Sequence, residues 1–286
     1  MKRRLILGLA LATAVAPSAS AQDKPIRLVT VGGALTEIVY ALGAESQLVG
    51  VDTTSLYPPA ARSLPQVGYM RALSAEGVLS LKPSLVVATT AAGPATTLDQ
   101  LRAAGIETIV LPDRYDYDSV IAKVEALGRI TGKESQAAEM IARGRADMDK
   151  LQAGLAGTHT RPRVLFLLAM GSGAPQAAGQ NTAADGIIQL AGGVNAVEGY
   201  TGYRPLTPEA VIASRADYIV VTQQTVDQLG GLEAILDQPS LRQTPAGRAG
   251  KVLSFDTMLL LGFGPRTPQA ARQLAAALHP ELAAAP

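Results

Sequence analysis

The chain has 286 residues and carries 25 lysine and arginine side chains against 24 aspartate and glutamate side chains, a formal net charge of +1. This balance leaves no basic excess for a nucleic-acid partner. Cysteine is absent, which excludes a catalytic thiolate and a cysteine-ligated metal. Aromatic residues make up only 4% of the sequence, so the few tyrosines are candidates for individual roles.

Residues 1–21 have the pattern of a secretory signal peptide. Basic residues at positions 2–4 precede an apolar run over 5–15, and small residues at 19–21 form a cleavage site. The apolar run is about half of the roughly 20 residues that a membrane span needs. We therefore predict that the mature protein starts at Gln22, does not span the membrane and lies in the periplasm.

Residues 22–133 alternate between apolar β-branched runs and short amphipathic segments, an order that predicts an α/β lobe. The predicted strands are 26–31, 48–51, 109–111 and a buried strand after Lys82-Pro83; the predicted helices are 36–42, 98–104 and a short helix capped by Ser74. Strands that alternate with helices predict a parallel sheet with helices on both faces.

Residues 158–286 repeat this order. A strand is predicted at 163–168, a helix at 184–191, and then a short helix capped by Thr207 that leads into a strand ending at Val221. Thr207 corresponds to Ser74 of the first half, and Glu209 corresponds to Glu76. This repetition predicts two Rossmann-like α/β lobes of similar topology.

Between the lobes, residues 134–157 are rich in Ala, Glu, Lys, Arg and Met and contain almost no helix breaker. A helix of about 22 residues is roughly 33 Å long. We predict a single long rigid α-helix that joins the two lobes, with the ligand cleft between them. The alternative is a surface helix of one continuous domain.

The order of signal peptide, α/β lobe, long helix and α/β lobe resembles the periplasmic binding proteins of importers for haem, cobalamin and ferric siderophores. Three segments resemble the haem-binding branch in particular: LPQVGYMRALSAEG at 64–77, AGQNTAAD at 178–185 and GFGPRTP at 262–268. The resemblance implies haem as the transported ligand, and a monomer that delivers it to an ABC permease dimer with its ATPase. Cobalamin and a ferric siderophore remain alternative cargoes.

Tyr69 lies on a connection between two predicted elements, which is where open α/β sheets bind ligands. A tyrosine phenolate is a hard oxygen donor that favours Fe(III). A free phenol has a pKa of about 10, so ligation depends on the charge of the metal and of a nearby cation. Arg71 is the candidate for that cation, and the resemblance points to the same residue. The alternative is an ordinary loop tyrosine beside a surface arginine.

The two histidines, His159 and His279, are not placed to line a cleft, and we expect both on the surface. Some relatives in the haem-binding branch offer a histidine from the second lobe, where this sequence has Met170. This difference argues against a second strong axial ligand. We interpret Met170 as an apolar contact with the porphyrin, or alternatively as a soft sixth ligand of the iron.

Three further residues are candidates for the walls of a haem site and for its two propionates. They are Tyr203 and Arg204, in one loop of the second lobe, and Arg266, in another. Tyrosine offers stacking area, and guanidinium groups form charge-assisted hydrogen bonds with carboxylates. Either arginine could instead form a salt bridge within its lobe.

Glu76 and Glu209 occupy the same place in the two repeats, in the first turn of a short helix. An acidic residue there complements the helix dipole. The resemblance adds a second interpretation, in which one exposed glutamate on each lobe docks on the arginines of the two permease subunits. A symmetric pair of carboxylates suits a two-fold symmetric partner.

An exported enzyme is the alternative from another class. Gly32-Gly33 follows the first strand, but no phosphate-binding glycine motif and no G-x-S-x-G nucleophile motif are present. Asp113, Asp116 and Asp118 are close in sequence but do not form a calcium loop. The sequence therefore favours a binding protein over an enzyme.

Overall fold

The computed structural model describes residues 25–168 and 176–283. The predicted signal peptide and Met170 fall outside these ranges. No helix in the described part of the chain is long and apolar enough to cross a membrane.

The first half of the chain folds around one parallel sheet. Its strands are β1 (Leu28–Val31), β2 (Leu48–Val51), β3 (Gly68–Tyr69), β4 (Ala72–Leu73), β5 (Leu85–Thr89) and β6 (Glu107–Leu111); its helices are α1 (Gly33–Ala41), α2 (Ala75–Ser80) and α3 (Ala95–Ala103), with 3-10 helices at Glu45–Gln47 and Pro59–Ser63. The sheet order is β2-β1-β5-β6, and β3 pairs with β4 in a separate antiparallel hairpin.

Alternate residues of the central strand β5 pack into different apolar clusters. Val87 packs with residues of α1, whereas Val86 packs with residues of α2 and α3. Every residue of β1 and β5 is buried, as expected for a parallel sheet that is covered on both faces. The prediction of a parallel sheet is confirmed for this half.

Two helices follow the first sheet, α4 (Tyr117–Thr131) and α5 (Glu134–Leu155). Gly132 ends α4 in the left-handed conformation, with φ of 67°, which suits a residue without a Cβ atom. Only Ala137, Met148 and Leu151 of α5 are buried. The partly buried Met140, Ile141 and Gly144 lie between them. The helix therefore packs against the molecule along one face, and its opposite face is exposed.

The second half folds around a mixed sheet. Its strands are β7 (Arg163–Leu168), β8 (Gln176–Ala178), β9 (Val194–Asn195), β10 (Tyr203–Pro205), β11 (Tyr218–Thr222) and β12 (Val252–Phe255). Its helices are α6 (Ala183–Leu190), α7 (Pro208–Ala213), α8 (Gln223–Leu229), α9 (Leu232–Leu236), α10 (Pro239–Arg242), α11 (Pro245–Arg248), α12 (Thr257–Leu261) and α13 (Thr267–Leu278), followed by a 3-10 helix at Pro280–Ala283.

The strand order of this sheet is β10-β8-β7-β11-β12, with β9 beside β7. Strands β9, β11 and β12 are parallel to their neighbours, but β8 is antiparallel to both β7 and β10. The prediction that this half repeats the parallel sheet of the first half is therefore wrong at this edge. Only residues 169–175 separate β7 from β8, and a parallel crossover needs about a dozen residues or more.

The two halves share one hydrophobic core. The largest cluster of buried residues contains Leu28 and Leu35 from the first half, Leu127 from α4, and Phe166 and Leu274 from the second half. Two smaller clusters each belong to one half. The two sheets are therefore joined by continuous apolar packing as well as by the chain.

His279 is fully buried, and the prediction of a surface histidine is wrong there. It follows α13, and the 3-10 helix at Pro280–Ala283 turns back against that helix and covers its end. Its Nδ1 atom lies 3.5 Å from a carboxylate oxygen of Glu281. His159 is exposed, as predicted.

Candidate ligand cleft

A cleft of about 450 Å³ lies between the two halves of the molecule. Its walls include Gly32, Thr54, Tyr69, Arg71, Asp113 and Tyr115 from the first half and Leu168, Ala183, Tyr203, Met258 and Leu261 from the second half. Gly32, Thr54, Asp113 and Met258 each follow the carboxyl end of a parallel strand within three residues, after β1, β2, β6 and β12 respectively. Because the carboxyl ends of parallel strands meet at one edge of a sheet, the cleft occupies the edge where α/β sheets bind ligands.

The Gly32-Gly33 turn brings the start of α1 into the cleft wall. The amide of Gly32 donates to Asp52 Oδ1 over 2.8 Å, and the amide of Gly33 donates to Thr54 Oγ1 over 3.0 Å. A Cβ atom on Gly33 would collide with the Thr54 carbonyl and with the methyl group of Met258. These two amides are occupied by side chains of the protein, so the turn does not offer them to a phosphate.

Tyr69 and Arg71 are presented by the β3–β4 hairpin. Arg71 Nη1 donates a hydrogen bond of 3.0 Å to the phenol oxygen of Tyr69, and the Tyr69 side chain is 42% exposed. The amide of Gly93 donates to the carbonyl of Met70 over 2.8 Å, which fixes the tip of the hairpin to the loop after β5. The structure thus brings the two predicted residues together, with the guanidinium directly on the phenol.

Two other tyrosines line the cleft, and both are more enclosed than Tyr69. Burial raises the pKa of Tyr203 to about 12, although hydrogen bonds with the backbone of Ala184 and the side chain of Thr182 act to lower it. Burial also raises the pKa of Tyr115; the nearby Asp113 carboxylate adds to this effect and Arg71 opposes it. Both phenols are therefore neutral hydrogen-bonding groups at neutral pH.

The remaining predicted contacts lie elsewhere. Arg204 is exposed, and its guanidinium carbon lies 5.1 Å from the centroid of the Tyr200 ring. It follows Tyr203 in strand β10, and successive side chains of a strand point to opposite faces. Neither Arg204 nor Arg266 is among the described residues that line the cleft.

Arg266 is engaged by a buried carboxylate of the other half. Its Nε and Nη2 atoms donate to the two carboxylate oxygens of Glu37 over 2.7 and 2.9 Å. Its guanidinium carbon also lies 3.5 Å from the centroid of the Tyr57 ring. Glu37 belongs to α1 and is 3% exposed, so this ion pair ties the two halves together rather than forming within one lobe.

Glu76 and Glu209 are both exposed, in helices with matching caps. Ser74 Oγ accepts from the amide of Gly77 over 3.2 Å, and Thr207 Oγ1 accepts from the amide of Ala210 over 3.3 Å. The correspondence of the two caps, predicted from the sequence, is confirmed. Hydrogen bonds from its own amide and from Thr207 lower the pKa of Glu209.

An arginine at the start of the first strand of each sheet donates hydrogen bonds to carbonyl groups at the carboxyl end of the short helix. In the first half, Arg27 donates to the carbonyls of Leu81 and Lys82 over 2.6 and 2.9 Å. In the second half, Arg163 donates to the carbonyl of Ser214 over 3.0 Å. Each half therefore has the same arrangement of a helix cap, an exposed glutamate and an arginine that holds the end of the helix. We call this arrangement the corner of that half.

Several residues of the cleft were not identified in the sequence, notably Thr54, Tyr115 and Met258. A signal was present for Asp113 and Tyr115, because they come just after the predicted strand 109–111 and therefore at the carboxyl edge of the sheet. No comparable signal exists for Met258, which reaches the cleft only through the contact between the two halves.

A sequence profile of the periplasmic binding protein family matches residues 28–258. The structure of the periplasmic heme-binding protein BhuT, in complex with two hemes, matches with a TM-score of 0.84 and 42% identity, over 90% of this chain and 99% of that one. The cobalamin-binding protein of Halobacterium salinarum is 31% identical over 264 residues, 90% of this chain and 70% of that protein. The ABC transporter substrate-binding lipoprotein YvrC of Bacillus subtilis is 27% identical over 264 residues, 91% of this chain and 82% of that protein.

The chain belongs to the periplasmic binding protein family. The two α/β halves and the cleft at their facing edges agree with that class, and the prediction of a binding protein rather than an enzyme is confirmed by the family. The names of the three relatives describe solute binding, and one of them assigns it to an ABC transporter.

Proposed function

We propose that this protein captures haem in the cleft, with Tyr69 as the axial ligand of the ferric iron, and delivers it to an ABC importer. The observation that carries the proposal is the Arg71–Tyr69 hydrogen bond of 3.0 Å on the cleft wall. The 42% identity with a heme-binding protein of the same fold supports the same cargo.

The chemistry of the cleft suits this ligand. An exposed phenol held by a guanidinium is prepared to bind Fe(III) as a phenolate, because the cation stabilises the negative charge on the oxygen. The neutral phenols of Tyr115 and Tyr203 offer hydrogen bonds and ring area, and Leu168 and Leu261 add apolar wall. In this proposal Met170 keeps its predicted role as an apolar contact with the porphyrin.

The two arginines predicted for the propionates take different roles in this proposal. Arg266 holds the two halves together through Glu37, and Arg204 lies on the strand face opposite to Tyr203. Arg71 is then the cation that faces the ligand, and it serves both the phenolate and the negative charge of the propionates.

The test is a titration of the purified protein with hemin, followed by visible absorption. We expect the spectrum of a high-spin ferric phenolate complex in the wild type and its loss in Tyr69→Phe. Tyr200→Phe is the matched control, because that tyrosine is partly buried outside the cleft lining. Hemin binding that is absent from the wild type, or a phenolate spectrum that persists in Tyr69→Phe, would refute the assignment.

Cobalamin is the second candidate cargo, and the cobalamin-binding relative supports it. A phenol held by a guanidinium offers no coordination advantage to cobalamin, because the coordination sites of its cobalt are already filled. We expect cyanocobalamin and a ferric siderophore to bind at least about tenfold more weakly than hemin in competition experiments.

We extend the proposal to the partner and to the architecture. Glu76 and Glu209 dock on the two subunits of a permease dimer, and α5 is the rigid connection that limits the movement of the two lobes. The protein acts as a periplasmic monomer after cleavage of the signal peptide before Gln22. Amino-terminal sequencing of the exported protein tests the cleavage site.

A further inference from the structure

Lys123 is a buried lysine behind the cleft wall. It lies on α4, its side chain is 0% exposed, and its Nζ atom is 2.8 Å from Asp113 Oδ1. Removing a charged ammonium group from water costs several kcal/mol unless a close partner offsets it. Burying the charge of Lys123 therefore has a high free-energy cost, and its ion-pair partner among the described residues is Asp113 of the ligand cleft.

The charged residues in the described part of the cleft lining are one cation and one anion. Among the described residues that line the cleft, Arg71 is the only cation and Asp113 is the only anion. Without Lys123, the two charges would cancel and leave a neutral wall. With the ammonium of Lys123 bonded to Asp113, Arg71 is the lining charge that has no opposite charge in contact with it among the described residues. The buried Asp52 carboxylate, which bonds Gly32 and Thr54 of the lining, is already satisfied by four hydrogen bonds from the protein.

Asp113 and Arg71 are also close enough to act on the same group. The Asp113 carboxylate raises the pKa of the Tyr115 phenol, and the Arg71 guanidinium lowers it. Without Lys123, Asp113 would be an uncompensated anion on the same cleft wall as Arg71 and Tyr69.

We propose that Lys123 is a positioning and specificity-determining residue of the cleft. It neutralises the Asp113 carboxylate, so that Arg71 remains on the phenol of Tyr69 as the uncompensated charge of the cleft wall. That charge favours a ligand with two carboxylates. This inference rests on the proposed function, since the two carboxylates are the propionates of haem.

The test compares the affinity for hemin with the affinity for hemin dimethyl ester, whose side-chain carboxylates are capped. The ratio of the two affinities reports charge selection and is insensitive to a general loss of folded protein. We expect Lys123→Met to lower this ratio about tenfold and to weaken the phenolate band. Asp113→Asn should raise the ratio, and Lys123→Met/Asp113→Asn should restore it to within about threefold of the wild type.

Each outcome has a defined meaning. A ratio that is equal in the wild type and in Lys123→Met overturns the inference, as does a double variant that stays as low as Lys123→Met. If Lys123→Met does not fold, the comparison of Asp113→Asn with the double variant replaces it, because these two differ only in the lysine charge. A wild type that binds neither compound refutes the proposed function itself, which is a different result from binding both without charge selection.

Discussion

Three tyrosines line the cleft, and their surroundings assign them different roles. Tyr69 is exposed and accepts a hydrogen bond from Arg71, whereas Tyr115 and Tyr203 have pKa values raised by burial. A ligand for ferric iron must lose its proton, and burial makes a phenol resist that loss even where a cation such as Arg71 acts from a distance. The selection of Tyr69 among the three therefore follows from burial and charge.

The raised pKa of Tyr203 predicts a dependence of stability on pH. Its pKa is about 12 in the folded protein and about 10 in an unfolded chain. Because the folded value is the higher one, this contribution to stability is complete below about pH 10 and is lost as the pH rises through about 12.

Between about pH 9 and pH 12, we expect the free energy of unfolding of the wild type to fall by up to about 2 kcal/mol more than that of Tyr203→Phe. Urea denaturation at a series of pH values measures the difference. Parallel pH profiles for the two proteins would show that Tyr203 ionises as easily in the folded state as in the unfolded state.

At the scale of the elements, the duplicated corners give the two docking candidates the same support. Each helix is capped at its start by Ser74 or Thr207, and its far end is pinned to the sheet by Arg27 or Arg163. A helix that is already fixed to its sheet has less backbone entropy to lose when a partner binds its side chains. The corners therefore fix the backbone positions from which the two carboxylates extend.

Reversing the charge of both docking candidates should uncouple the protein from its importer. We expect Glu76→Lys/Glu209→Lys to reduce the stimulation of the importer ATPase at least about tenfold, with each single variant intermediate. In the proposed docking, the new lysines would face arginines of the permease and repel them. The measurement is ATPase activity of the importer reconstituted in proteoliposomes.

Hemin affinity should be unchanged in these variants, since both residues are outside the cleft lining. Glu233→Lys is the matched control, because Glu233 is another exposed glutamate in the first turn of a short helix. Equal loss of stimulation in Glu233→Lys would point to net charge rather than to two specific sites.

The local elements could be predicted because their signals are local. Alternating apolar runs gave β1, β2 and β7, and the Ser74 and Thr207 caps are visible as single residues before short helices. The antiparallel β8 and β10 were not predicted. Each has only three residues, too few to show a periodic pattern, and depends on pairing with a neighbouring strand. The Asp113–Lys123 pair was missed for a similar reason, since nothing in a helical pattern marks a lysine as buried.

At the scale of the molecule, the ion pair between Arg266 and Glu37 connects the two halves beside the cleft. The chain alone could not predict it, because the two residues are 229 positions apart and Arg266 looked like a ligand contact. Glu37 is 3% exposed, so its charge depends on Arg266 for compensation. A fixed connection here agrees with the proposed limited movement of the lobes.

Removing one partner of this pair should be strongly destabilising. We expect Arg266→Met to lower the free energy of unfolding by about 3 kcal/mol, because the carboxylate of Glu37 is left buried and unpaired. Glu37→Gln/Arg266→Met should recover most of the loss. Urea denaturation measures both values.

The control for this experiment is Arg143→Met, which removes an exposed i,i+4 pair with Glu139 and should change stability by less than about 0.5 kcal/mol. An Arg266→Met variant as stable as this control would show that the pair does not hold the halves together.

The core that the two halves share makes the molecule a single unit for folding, although its sequence repeats. Its largest cluster includes Leu28 from the first sheet, Phe166 from the second sheet and Leu274 from the last long helix. A half that unfolded alone would leave the apolar surface of the other half in water, so the two melt together. Either half expressed alone would expose the surface that it normally shares, and such surfaces aggregate. The internal repeat therefore does not make the two lobes separable pieces.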